Sequence, residues 1–219
     1  MLEGTMRTEA LNESSILVRD IPIAPWKFAE AARRLGISDA VASYETVGLF
    51  EVPADFDLEQ ILRIAEAADF VSRTVQILAI YDGPDLESAA EFLNLTPEAL
   101  ALAHQSASYP CHAVGFRPGF AYLGPLPFAI SGLPRRAQPR THVPPGSIAI
   151  TGRQTAIYPI ASPGGWQLIG RTPHDLSVTD DLQLAIRPGD IVQFVACSED
   201  EFQSNLGTRP LILNQEAQE

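Results

Sequence analysis

Between His112 and Thr172 the chain runs for 61 residues without one aspartate or glutamate, yet it carries Arg117, Arg135, Arg136, Arg140, Arg153 and Arg171. The segment has a formal charge of +6 inside a chain of net charge −12, which leaves −18 for everything else. That asymmetry limits what the stretch can become. Its glycines, prolines and aromatic residues set it apart from a solvated basic tail. The same Gly and Pro punctuation breaks any long helix. Short strands and turns remain, presenting guanidinium groups on a rigid scaffold. Arg suits such a surface because its planar fork matches carboxylate and phosphate geometry.

The rest of the sequence narrows the function classes. With 219 residues and 46% hydrophobic content, the chain can bury one large core or two smaller ones. It contains no run of about 18 apolar residues, so no membrane span is expected. Its first residues, MLEGTMRTEALNESS, lack the apolar core of a signal peptide. Cys111 and Cys197 fit neither a metal-type spacing nor a disulfide framework, which makes a reducing cytoplasm the expected compartment. Net acidity opposes nucleic acid. No pair of histidines has an HxH or HExxH spacing, so no metal site is expected. Lys27 is the sole lysine and no phosphate-binding P-loop is present. There is no G-x-S-x-G elbow either. A chain without its own nucleophile or energy-coupling motif reads as one part of a larger enzyme.

Taken in order, the pattern predicts an α+β protein. Residues 15–81 read as a small domain: a strand at Ser15–Arg19, a helix over Pro25–Leu35, two strands at Ala40–Tyr44 and Val47–Val52, a helix over Asp57–Ala68 and a strand at Arg73–Tyr81. This β-α-β-β-α-β order is that of the ferredoxin-like, split βαβ motif. Residues 82–108 form a helical connector, with helices over Asp85–Leu93 and Pro97–Ser106, the second capped by Thr96. Residues 109–198 become Gly/Pro-punctuated β runs at Cys111–Phe116, Ser147–Thr151, Thr155–Ile160, Trp166–Arg171, Gln183–Ile186 and Ile191–Val195, which predict a β-barrel or sandwich. Residues 1–14 and 199–219 are expected to be irregular.

Within this frame the candidate site residues are few. Arg117 sits among fixed turns in GFRPGFAYLG, and Arg140 and Arg171 flank the β runs. All three are candidate anion contacts. His112 precedes a strand and is a candidate for proton transfer. In Ser162-Pro163-Gly164-Gly165-Trp166 the paired glycines can present backbone N–H groups to an oxyanion, or make a plain hairpin turn. Gln154 and Tyr158 on the preceding strand are candidates to line the same face.

At GFRPGFAYLG, LPRRAQPRTHVPPGSIAITGRQTAIYP and SPGGWQLIGRTP the sequence resembles a family. It comprises the B subunit of bacterial ATP-dependent 5-oxoprolinase, the kinase inhibitor KipI and allophanate hydrolase subunit 1, and is related to part of the carboxyltransferase region of urea carboxylase. The likeness runs from about Tyr81 to Val195. It implies a small α+β domain followed by a cyclophilin-like antiparallel β-barrel. It also implies partners, 5-oxoprolinase subunits C and A, the first packed on the barrel and the second completing the enzyme. The implied reaction opens 5-oxoproline to glutamate with ATP and water. For such a reaction the resemblance and the Arg-rich face together imply cationic donors aimed at carboxylate and phosphoryl charge. Two other roles are implied within the family: a regulator that binds a sensor histidine kinase, and a urea or allophanate carboxyltransferase component.

Overall fold

A computed structural model of the chain describes residues 6–213. The outermost parts of the tails expected to be irregular, 1–5 and 214–219, lie outside the described residues. The chain divides into two units after Val71.

The first unit is a four-stranded antiparallel sheet with two helices. Its strands are β1 (Arg7–Asn12), β2 (Ser15–Arg19), β3 (Ala40–Ala42) and β4 (Val47–Leu49), in the order β1-β2-β4-β3. Helix α1 (Pro25–Arg34) starts on a proline, which lacks the N–H that a first turn leaves unpaired. Helix α2 (Leu58–Ala67) starts where the Asp57 carboxylate accepts from the Glu59 N–H at 2.9 Å. Phe28, Ala29, Ala32, Ile61 and Ala65 from the helices pack against Val18, Val47 and Leu49 from the strands.

The split βαβ unit is present as β2-α1-β3 with β4 between the strands, but its outer strand is not the expected one. That position belongs to β1, in the segment read as irregular. All six β1 side chains are exposed, so the strand lacks the apolar alternation that would mark it in sequence. Arg19 and Glu9 pair across it, and so do Arg7 and Asp20.

The expected last strand, β5 (Thr74–Ala79), belongs to the second unit, where it runs parallel to β13 (Ile191–Ala196). Val75, Ile77 and Ala79 are buried on one of its faces and Thr74 on the other, while Gln76 and Leu78 stay partly exposed. Arg73 fixes the pairing by donating from Nε to Asp190 Oδ1 at 2.9 Å. From β13 the sheet continues through β6 (Ser108–Val114), β7 (Ala121–Leu123), β10 (Gln154–Ile157) and β9 (Ser147–Thr151) to β12 (Gln167–Arg171). It then closes on itself. Ile80, just past β5, and Arg171 exchange two backbone hydrogen bonds of 2.9 and 2.8 Å. Strand β14 (Leu211–Leu213) adds to the other edge of β5.

The connector forms α3 (Leu86–Phe92) and α4 (Pro97–Gln105), close to their expected bounds, with Thr96 Oγ1 accepting from the Ala99 N–H. Three of the expected irregular or strand segments differ, the first being β14, a strand inside the tail expected to be irregular. Helix α5 (Glu199–Ser204) begins with a reciprocal Ser198–Glu201 capping box. Gln183–Ile186 is not a strand, because Thr179 captures the chain in a turn: its Oγ1 accepts from the Gln183 N–H at 2.9 Å and its carbonyl accepts from Leu182.

Strand alternation divides the packing of this unit in two. Ile148, Ile150, Ile157 and Ile169 point into the main core with Val75, Ile77, Leu100, Tyr109 and Phe194. Their neighbours Ala149, Ala156, Tyr158 and Leu168 point the other way, into a second cluster with Phe120, Val143 and Trp166. A ribbon of β8 (Arg140–Val143) and β11 (Ser162–Gly164) contributes Val143 to that second cluster.

His104 ties α4 to the closed sheet. Its Nδ1 meets Tyr81 Oη at 2.8 Å and its Nε2 meets Thr155 Oγ1 at 2.8 Å. Thr155 Oγ1 donates its proton to the Ala149 carbonyl at 3.2 Å, so Nε2 carries the imidazole proton and Nδ1 accepts from Tyr81. Complete burial holds the ring neutral and lowers its pKa to about 3.

Candidate functional site

The six arginines of the acid-free stretch have two fates. Three are committed to carboxylates that come from outside the stretch. Asp85, at the start of α3, is buried, and its Oδ1 accepts from Arg136 Nη1 at 2.8 Å and Arg140 Nη2 at 2.7 Å. Its Oδ2 accepts from the Leu168 N–H at 2.7 Å, which satisfies the buried charge. Arg171 donates to Asp82 and Glu199, both at 2.8 Å, and lies over the Phe202 ring. Its guanidinium is thus engaged by carboxylates of the protein itself. Arg117, Arg135 and Arg153 are exposed and form no ion pair among the described residues.

Arg140 retains a spare donor. Its Nη1, the Nε of Arg136 and the Oγ of Ser162 are buried without a hydrogen-bond partner among the described residues. The three belong to one local assembly: Arg140 pairs with Gly164 across the β8–β11 ribbon, Ser162 pairs with Val143, and Arg136 N donates to the Gly165 carbonyl at 2.7 Å.

Tyr158 lies beneath this ribbon. Its hydroxyl fills the space a side chain at position 164 would need: a Cβ on Gly164 would lie 2.2 Å from Tyr158 Oη. Burial raises the Tyr158 pKa, while the Trp166 backbone and the charges of Arg135 and Arg140 act the other way. Tyr122 also acts on that hydroxyl, and its ring packs on Phe120 and Trp166 at 5.0 and 6.1 Å. Tyr122 and Arg135 therefore belong to the same neighbourhood as the expected Tyr158, Ser162, Gly164, Gly165 and Trp166. Neither stands out in sequence, since one is an ordinary strand tyrosine and the other one arginine among six.

The structure separates the remaining candidates. Tyr158 and Trp166 are buried parts of the aromatic cluster. Ser162–Gly164 is a strand and not an open anion-binding loop. Gln154 shares a strand face with Tyr158 but stands four residues away, about 13 Å along a strand. His112 Nε2 lies 3.0 Å from the Gly124 carbonyl, so that nitrogen carries a proton and ties the β6–β7 region to the following turn. Arg117 lies at the tip of the β6–β7 loop, over the ring of Phe116 at 5.6 Å. Phe116 has φ +69°, a conformation that costs a non-glycine residue about 1–2 kcal/mol. Among the described residues, no group of three or more His, Cys, Asp or Glu could hold a metal ion.

This arrangement, an aromatic cluster under an arginine-bearing ribbon on a closed sheet, can hold an anion against a rigid floor. Comparison with known proteins places it in a lineage. Over 150 residues the chain is 41% identical to the 5-oxoprolinase B subunit of Bacillus subtilis, covering 67% of this chain and 62% of that protein. Over 142 residues it is 44% identical to the 5-oxoprolinase B subunit of Haemophilus influenzae, covering 63% and 66%. It thus spans a little under two thirds of the length of these curated relatives. Among solved structures, TTHA0988 superimposes with a TM-score of 0.72 at 33% identity, over 84% of this chain and 40% of the other. The urea amidolyase of Kluyveromyces lactis matches with a TM-score of 0.65 at 16% identity, over 95% of this chain and 16% of the other, a likeness of fold alone. A family model described as the carboxyltransferase domain, subdomain C and D, matches residues 14–184, which carries the likeness back through the first unit and well before Tyr81. The chain belongs to this carboxyltransferase-domain family, subdomain C and D.

Proposed function

We propose that the chain is the B-type component of an ATP-dependent 5-oxoprolinase, which converts 5-oxoproline, ATP and water to glutamate together with subunits C and A. The observation that carries this reading is the 41–45% identity to proteins named as the B subunit of 5-oxoprolinase. On this reading the closed sheet is a cyclophilin-like barrel, and the first unit is a ferredoxin-like sheet whose outer strand comes from the N-terminal side. The compartment is the cytoplasm; among the described residues no helix is long and apolar enough to cross a membrane.

The site proposed for this role is the surface around the β8–β11 ribbon, completed by a partner chain. Arg135 has a guanidinium without an ion pair among the described residues, and Arg140 offers Nη1. These donors suit the carboxylate of 5-oxoproline and the charge that develops on the lactam oxygen. Ser162 Oγ and the Gly164-Gly165 backbone lie on the same ribbon, and Tyr158, Tyr122 and Trp166 form its apolar support. ATP, when bound in the complex, supplies the phosphoryl group that activates the lactam. The guanidinium donors fit phosphate oxygens.

The test is 5-oxoproline-dependent ATP turnover by this chain alone and then with subunits C and A. Turnover only in the mixture is expected. A complete mixture that assembles but hydrolyses no ATP with 5-oxoproline would sink the reading.

A further inference from the structure

The loop from Gly115 to Gly119 is built to hold two side chains outward. Three short backbone hydrogen bonds close it: Arg117 N to Gly115 O at 2.8 Å, Phe120 N to Arg117 O at 2.9 Å and Gly115 N to Phe120 O at 3.0 Å. Gly119, at φ +85°, presses the loop so close to the next segment that a Cβ there would lie 2.6 Å from the Leu176 carbonyl. Phe116 is 58% exposed although it is aromatic and pays for a left-handed backbone conformation. Its ring stands edge-on to Phe120 at 5.4 Å, and Phe120 is itself braced edge-on by Tyr158 and Trp166. Folding alone gains little from an exposed ring held in an unfavourable conformation on a rigid brace, so the outlier points to a role outside the fold.

Arg117 sharpens the role. It stacks on Phe116 and forms no ion pair among the described residues, although the chain as a whole is acidic. An exposed aromatic beside an unpaired arginine, both preorganised, is the composition of an interface anchor. We propose that Phe116 and Arg117 anchor a separate partner chain, whose contact face offers an apolar pocket for the ring and carboxylates for the guanidinium. This rests on the multi-chain enzyme reading above, with the partner being the chain that completes the shared site. A twofold contact with a second copy fits less well, because it would set this acid-free, arginine-rich surface against itself. In TTHA0988 the part that matches this chain is 40% of a longer polypeptide, so a relative of this fold does carry additional chain.

The experiment measures association of the full chain with the separately purified C subunit of 5-oxoprolinase, by calorimetry and sedimentation, for wild type, Phe116→Asn and Arg117→Glu. Asn removes the ring but tolerates left-handed backbone. Wild type is expected to associate, with affinity falling as salt rises. Phe116→Asn should bind at least about tenfold more weakly, as an interface hot spot does, with a thermal midpoint no lower than that of wild type. Arg117→Glu should bind more weakly still at low salt. If wild type associates and both variants match it, the anchor is wrong and the multi-chain enzyme reading stands. If wild type does not associate at all, both fall. If wild type instead self-associates and Phe116→Asn does not, the occupant is a second copy and the partner assignment is overturned.

Discussion

Arg140 Nη2 and Asp85 Oδ1 lie 2.7 Å apart although 55 positions separate them in the chain. Through this contact the connector helices hold the ribbon that bears the candidate site. Asp85 balances two guanidiniums and is itself buried, so removing it leaves cations without their counter-charge. Asp85→Ala is expected to destabilise the second unit by about 3–5 kcal/mol, the cost of breaking a buried pair. Urea unfolding checks this, and a loss below about 1 kcal/mol would contradict the account.

Gly164 and Tyr158 make a steric prediction. A Cβ at 164 would lie 2.2 Å from Tyr158 Oη, so Gly164→Ala should cost about 1–3 kcal/mol through overpacking. Removing the hydroxyl relieves the clash. In a double-mutant cycle Tyr158→Phe should recover much of that loss, giving a coupling of at least about 0.5 kcal/mol. Additive effects would mean the clash relaxes by another route.

His104 sets a pH dependence. Its pKa is about 3 in the folded chain against 6.5 for the free side chain, because burial disfavours the charged ring. The unfolded chain therefore binds this proton first. The stability contribution is fully present above pH 6.5 and falls as pH drops towards 3, with a slope approaching about 1.4 kcal/mol per pH unit. His104→Gln removes the titrating group, so the difference between its stability–pH curve and that of wild type isolates the effect. Parallel curves would show that the ring charges without unfolding.

The arginines divide by function. Arg135→Ala should lower turnover of the assembled enzyme about 10²-fold or more if its guanidinium meets developing charge, whereas Arg117→Ala should lower turnover only as far as it weakens assembly. Arg171→Ala should leave turnover within several-fold and cost about 1 kcal/mol or less, since its ion pairs are solvent-exposed. A collapse of turnover in Arg171→Ala, with Arg135→Ala unaffected, would reverse the assignment.

The helices and most strands of the eight-stranded sheet are legible in the sequence because caps and alternation are local signals. Asp57, Thr96, Pro25 and Pro97 mark helix starts within a residue or two of where they occur. Strand β1 is not legible, because an exposed edge strand needs no apolar face. Nor is the partnership of β5 with β13, because a strand with one apolar face reads the same in either sheet. At the site, the charge asymmetry is evident in the sequence, but its division is not. Nothing local shows that Asp85 absorbs two arginines while Arg117 and Arg135 form no ion pair among the described residues. For α5 the sequence does hold a signal, Ser198-x-x-Glu201, which marks a helix start inside a tail that otherwise reads as irregular.

The parallel pairing of β5 with β13 also fixes when this molecule can become itself. β13 lies between β5 and β6, so it fills a gap bounded by residues synthesised far earlier. A nascent chain that has emerged only as far as Arg187 holds both flanking strands with open edges and has no partner for Arg73. Closure of the second unit must wait until Ile191–Ala196 has been synthesised. Until then two apolar strand edges stand exposed in the cell, the interval in which such a chain depends most on chaperones.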